Sequence, residues 1–276
     1  TATFVINPGF IYTDGLSAWG HYGFAASAGV IAALLILSKQ FRKTGVALGA
    51  YTLPDWIRKR YKSAALGYGF ALICLLYISF VVLILAGSAM ITDQLFGVGY
   101  HPALVGVLLF VFSYTLLGGT YAHAYTNAFQ GLLMLVIALG LFWSGAAYWE
   151  GDVVARLTTV SEGYASWLNP ESKLYHDWFS VFGSSFVVTF ALMLQPHILT
   201  KILYIKNPKD MRAFLGTAIV CGLVFSLILF VGFYARLSGV AVSTQDKALL
   251  QYVTQSFNPY VVSFVLVTLL AAGMST

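Results

Sequence analysis

Charge is scarce in this 276-residue chain: Asp, Glu, Lys and Arg make up 9% of it, against 59% hydrophobic residues. A water-soluble domain carries roughly 25% charged residues, so a soluble fold is excluded, and a mean hydropathy of +0.82 agrees. Cysteine is nearly absent. The two present, Cys74 and Cys221, lie inside apolar runs and remote from any His or Cys cluster, which excludes a disulfide framework and a zinc site. A phosphate-binding loop, zinc-ligand spacing and a nucleophile triad are also missing, so no catalytic residue is assigned and an enzyme is not expected. No basic n-region or cleavage-like site marks a signal peptide. The formal charge of +5 would suggest nucleic acid in a soluble protein. Here it reflects cations gathered in loops, and neither nucleic acid nor an obligate protein partner is expected.

What the chain has is long apolar runs. Seven are long enough to cross about 30 Å of hydrocarbon, at about 17–38, 64–96, 102–118, 122–149, 177–199, 211–237 and 258–276. The fold class is an all-α polytopic membrane helix bundle, a single transmembrane domain over residues 1–276. A shorter apolar piece, Thr1 to Tyr12, precedes the spans and contains Asn7-Pro8-Gly9. Pro8 removes a backbone donor and disfavours helix in the residue before it, so this piece reads as the second half of a broken helix. The chain opens inside one apolar segment without Met and stops inside another, and it is read as a fragment of a longer protein.

Loops counted alternately give the sides. Lys39, Arg42, Lys43, Arg58, Lys59, Arg60, Lys62, Lys201, Lys206, Lys209 and Arg212 fall on one side; Arg156, Lys173, Arg236 and Lys247 fall on the other. Cations accumulate in the cytoplasm, which places loops 39–63 and 200–212 there and the protein in the plasma membrane, with the lipid bilayer as its surroundings. The opposite loop, 150–177, carries Glu150, Asp152, Glu162, Glu171 and Asp177, and Trp143, Trp149 and Trp178 sit at outer span ends as interfacial aromatics should. Arg236 and Asp93 also fall at outer span ends, where snorkelling is cheap. Ala25, Gly29 and Ala33 recur every four positions and permit close helix contact.

Two features carry chemistry. A membrane helix broken at depth leaves N–H and C=O groups without water, and such breaks survive where they line an ion or solute site. At the other end, the backbone carbonyl of Ala272 and the hydroxyls of Ser275 and Thr276 share one helical face. Sodium is a hard cation that prefers oxygen ligands, by the logic that governs calcium. This neutral set replaces part of its hydration without burying another charge.

The segment Ser113 to Met134, SYTLLGGTYAHAYTNAFQGLLM, joins two apolar runs through a Gly118-Gly119 corner and a polar, aromatic-rich helix start. It resembles the signature of the sodium/solute symporter family, with Tyr114, Thr115, Gly118, Gly119, Ala122, Thr126, Gln130 and Met134 in pattern and Asn127 where an acid is usual. Further matches extend over nearly the whole chain. Pro8-Gly9 with Tyr12 and Gly15 resembles the family's first broken core helix, and Thr52-Leu53-Pro54-Asp55 with Arg60-Tyr61 resembles its cytoplasmic loop. Gln195-Pro196-His197 resembles its G-Q-P-H segment, with Leu194 in place of Gly, and Ala272 to Thr276 resembles its sodium-site helix.

The resemblance implies a partial LeuT-like inverted-repeat core, from the break in the first helix through most of the eighth. It implies Na+ as coupling ion at Ala272, Ser275 and Thr276, the first-helix ligands lying before Thr1, so that this piece alone should not transport. A small organic solute would meet Thr3, His21, Tyr22 and Gln195, with His197 as an inner gate. The expected activity is inward symport by alternating access. Two other readings stay open: a transporter-like sensory domain joined to a signalling kinase, and a proton-coupled carrier, to which Asn127 gives slight support.

Overall fold

A computed structural model describes residues 2–205 and 207–274, apart from the side chains of residues 2, 118–123 and 274. Helix is the only regular secondary structure among the described residues. From the N-terminal side run α1 (Ala2–Asp14), α2 (Leu16–Leu48), the short α3 (Leu53–Tyr61), α4 (Ala64–Phe96) and α5 (Tyr100–Ser144). A loop containing α6 (Val153–Thr158) leads to α7 (Phe179–Leu192) and α8 (Pro196–Leu203), which meet at a 53° bend. The chain continues through α9 (Pro208–Leu237), α10 (Ala248–Ser256) and α11 (Pro259–Met274).

Among the described residues α2, α4, α9 and the two halves of α5, Tyr100–Leu117 and Ala124–Ser144, are long and apolar enough to cross a membrane, and the bent α7–α8 pair adds a sixth span. The apolar α11 is shorter. Six of the seven expected spans thus fall on these helices, and the described part of the seventh, 258–276, falls on the shorter α11.

The break expected at Asn7-Pro8-Gly9 is not there: α1 is continuous from Ala2 to Asp14 with Pro8 inside it. The fixed φ of proline suits a helix, so only one N–H is lost, and the carbonyl four residues earlier, at Phe4, goes without its donor. The chain breaks instead at Gly15, whose φ of 65° and ψ of −131° are tolerated only without a Cβ. There the N–H of Leu16 leaves the helix pattern and donates to the carbonyl of Tyr164, 2.9 Å away.

The Gly118-Gly119 corner lies where side chains are outside the described set, yet the backbone is helical throughout α5. Tyr100, at one end, lines a cavity with Leu250 and Gln251 of α10. Ser144, at the other, shares a 3.1 Å hydrogen bond with Tyr252 of the same helix. A straight helix of 45 residues would hold its ends about 66 Å apart, so contact of both ends with the region of α10 means that α5 is not one straight rod.

The small-residue stripe on α2 does what its spacing predicts. Ala25, Gly29 and Ala33 are buried, and a Cβ on Gly29 would run into the Thr189 hydroxyl and the Phe186 carbonyl of α7. At one end of the bundle Leu53, Ile57, Leu199, Ile202 and Met211 form a small apolar cluster. That cluster brings loops 39–63 and 200–212 together on one face, joined by the Arg42 Nε donating to the Ile205 carbonyl at 2.7 Å. Within α3, Thr52 caps the first turn by accepting from the Asp55 N–H at 3.3 Å, and the ammonium of Lys59 with the guanidinium of Arg58 holds the Asp55 carboxyl below its usual range.

At the other end loop 150–177 is packed, not loose. Tyr164 and Tyr175 are each 2% exposed within the main core, and burial raises both phenols. Nearby, the Tyr234 hydroxyl accepts from Trp149 Nε1 at 2.7 Å and donates to the Phe142 carbonyl at 2.9 Å. Tyr234→Phe removes both bonds and leaves a partly buried indole N–H without its acceptor, an expected loss of about 1–3 kcal/mol. Thermal unfolding in detergent checks this as a midpoint several degrees lower.

Candidate functional site

The site is set by where polar side chains interrupt apolar helices. A cavity of about 470 Å³ lies between α1, α2, the α7–α8 junction and α9. Its polar groups are Thr3 and Asn7 of α1, Tyr22 and Ser27 of α2, Thr189 and Gln195 at the bend, and Ser226 of α9. Apolar residues such as Phe4, Ile31, Leu34, Met193 and Ile228 supply the rest of the wall. Among the described residues no Asp, Glu, Lys or Arg lines it, so the cavity offers hydrogen bonds and apolar contact without a counter-charge.

The bend arises at Gln195-Pro196. Pro196 has no N–H, so the α7 ladder cannot continue through it, and Gln195 turns extended with φ −60° and ψ 141°. The carbonyl of Gln195 then starts α8 by accepting from the N–H groups of Ile198 and Leu199, each at 3.0 Å. Its side chain is 5% exposed and faces the cavity. Among the described hydrogen bonds none uses its side-chain amide, so a donor and an acceptor remain in the cavity for a bound molecule.

Tyr22 forms one edge of an aromatic roof. Its ring centroid lies 5.1 Å from Phe10 and 4.7 Å from His21, and the Tyr175 hydroxyl donates to Tyr22 Oη at 3.4 Å. Loop 150–177 thereby contributes a residue that contacts the cavity-lining Tyr22, which sequence reasoning did not foresee.

Of the four expected solute residues, Thr3, Tyr22 and Gln195 line this one cavity. His21 stands outside it: its Nδ1 is 2.9 Å from the Ser180 carbonyl, which fixes the ring beside Tyr175 instead of in the cavity. His197 is exposed on α8 and does not line the cavity, although its neighbour Ile198 does. Asn7, Ser27, Thr189 and Ser226 are not among the residues expected from the sequence. The signal that could have found them is polarity inside apolar runs, and Asn7 carries it within the same tripeptide as Pro8.

Of the expected sodium set, Ser275 and Thr276 lie outside the described residues. Ala272 is 7% exposed on α11, which packs against α4 and α5. The next residue, Gly273, lines a separate apolar cavity with Ser88, Tyr114 and Thr115. Among the described residues no group of three His, Cys, Asp or Glu side chains could hold a metal ion.

A helix bent at a proline and a neutral, partly polar cavity between apolar helices define an all-α polytopic membrane bundle. The chain belongs to the sodium:solute symporter family, whose model matches residues 1–276. It is similar to the high-affinity proline transporter PutP of Bacillus subtilis, 26% identical with 98% of this chain and 58% of the relative covered. It is similar to sodium/proline symporter 2 of Staphylococcus saprophyticus, 28% identical over 98% of this chain and 53% of the relative. A sodium/pantothenate symporter of Haemophilus influenzae is 26% identical, with 100% of this chain and 57% of the relative covered. The chain spans about half the length of these curated relatives.

Proposed function

We propose that the protein to which this chain belongs is a sodium-coupled symporter that carries a small organic solute into the cell by alternating access. The observation that carries the reading is the cavity at the α7–α8 bend, where Thr3, Tyr22 and the unshared amide of Gln195 meet without a charged side chain. The relatives named for proline and pantothenate transport support the class of cargo. The solute is held by hydrogen bonds and apolar contact, and a carboxylate on it would need a positive partner that the lining side chains do not supply, a role open to the co-transported sodium ion.

Sodium enters as cargo. The carbonyl of Ala272 with the hydroxyls of Ser275 and Thr276 is the ligand set we assign to it, and loops 39–63 and 200–212 face the cytoplasm of a cell whose plasma membrane holds the protein. One sodium ion crossing about 100 mV releases about 2.3 kcal/mol. A tenfold ion gradient adds about 1.4 kcal/mol. Together they support roughly 500-fold solute accumulation.

The test is uptake by the full-length protein in proteoliposomes, with proline and pantothenate as first solutes and sodium and pH gradients imposed separately. Uptake should track the sodium gradient. Solute movement indifferent to sodium but driven by the pH gradient would overturn the coupling, and a full-length protein that binds solute without moving it would overturn transport.

A further inference from the structure

The end of the bundle that gathers α3 and α8 holds more positive charge than its acids neutralise. Its apolar cluster of Ile57, Ile202 and Met211 is flanked in sequence by Arg58, Lys201 and Arg212, so packing the cluster also draws the cations together. Asp55 is already engaged by Arg58 at 2.7 Å and Lys59 at 2.9 Å, and Asp210 accepts from the Asn207 amide at 3.1 Å. Lys43, Arg60, Lys62, Lys201, Lys209 and Arg212 are exposed. None of the six has an ion-pair partner among the described residues. Tyr51, Tyr61 and Tyr204, 73%, 61% and 61% exposed, stand among them.

We propose that this face is a docking surface for anionic lipid headgroups and that such lipids selectively stabilise the folded bundle. Depth is the first argument. Lys43 lies in the last turns of α2, Lys62 two residues before α4, and Lys209 in the first turn of α9, so the cations sit where apolar spans enter water. Aromatic side chains with a polar tip settle at that same level, and exposed Tyr51, Tyr61 and Tyr204 meet the description. Distribution is the second. The charges are spread over the ends of separate helices, which suits several independent headgroups better than one continuous phosphate backbone. A cation held near an anionic lipid surface contributes about fivefold to association, the equivalent of about 1 kcal/mol.

The test uses full-length protein in neutral detergent, titrated with short-chain phosphatidylglycerol or phosphatidylcholine while the thermal midpoint is monitored. Phosphatidylglycerol should raise the midpoint by several degrees and phosphatidylcholine should not. The variant Arg60→Gln/Lys62→Gln/Lys201→Gln should need about 100-fold more phosphatidylglycerol for the same shift, with its midpoint in phosphatidylcholine unchanged. Neutralising two cations of the opposite end, Lys173→Gln/Lys247→Gln, should leave the titration as it was. If the triple variant is itself unstable, Arg60→Gln and Lys201→Gln alone should each shift the titration about fivefold. Equal stabilisation by both lipids, or a triple variant that titrates like the parent, overturns the proposal. So does an equal midpoint shift from soluble glycerol phosphate or from an oligonucleotide, which would assign the face to free anions or to nucleic acid.

Discussion

Gln195→Ala in the full-length protein is expected to lower solute affinity by about 5- to 150-fold, the equivalent of about 1–3 kcal/mol for a buried polar group left without its partner. The side-chain amide faces the cavity at 5% exposure and is used by no hydrogen bond among the described residues. Its removal should therefore weaken solute binding without weakening the fold. Two readouts separate the outcomes: KM for sodium-driven uptake of proline, or of whichever solute uptake measurements identify, and the thermal midpoint without solute. KM should rise steeply while the midpoint stays within a degree or two. Gln195→Glu should also fail, since it keeps the size but places a carboxylate in a cavity with no cation among its lining residues. An unchanged KM in Gln195→Ala would remove the amide from the binding site.

Gly9→Val is expected to destabilise the bundle by about 3 kcal/mol or more, because overpacking costs 1–3 kcal/mol even where side chains can yield. Here they cannot. A Cβ on Gly9 would overlap the backbone carbonyl of Gln245, and elsewhere on α1 the Pro8 carbonyl and the Ile11 side chain lie where a Cβ on Gly232 of α9 would fall. Both contacts put backbone against backbone, so relief requires moving α1 away from α9 and from the loop before α10. The matched control is Gly216→Ala on α9, which meets nothing within 4 Å and should be neutral or stabilising by up to about 1 kcal/mol through helix propensity. Denaturation midpoints in one detergent decide it. Equal midpoints for Gly9→Val and Gly216→Ala would mean α1 is not clamped at Gly9.

Both kinds of position show how differently the chain's features read along its length. Gly29 lies in an evident stripe with Ala25 and Ala33, since period and residue size suffice to mark a helix contact. Gly9 lies beside Pro8 and suggests a break, yet its smallness answers a loop more than 230 residues away in sequence, at Gln245. His21 misleads for a similar reason. Its position on α2 is close to Tyr22, but the Ser180 carbonyl takes its Nδ1, and no local pattern announces a partner 159 residues distant. Tyr175 in the roof is hidden because loop 150–177 reads as an acidic outer loop, while its aromatic residues pack into the core.

Composition and hydrophobic run length were enough to establish the helical spans and the asymmetry of charge between alternate loops. Lipid solvation demands long apolar helices with satisfied backbones, and that demand is met locally, within each stretch of chain. Which polar side chains share a cavity is a matter of packing alone. Thr3, Tyr22, Gln195 and Ser226 come from separate helices, and their meeting depends on helix rotation and on close approach at glycines, neither of which is encoded in linear order.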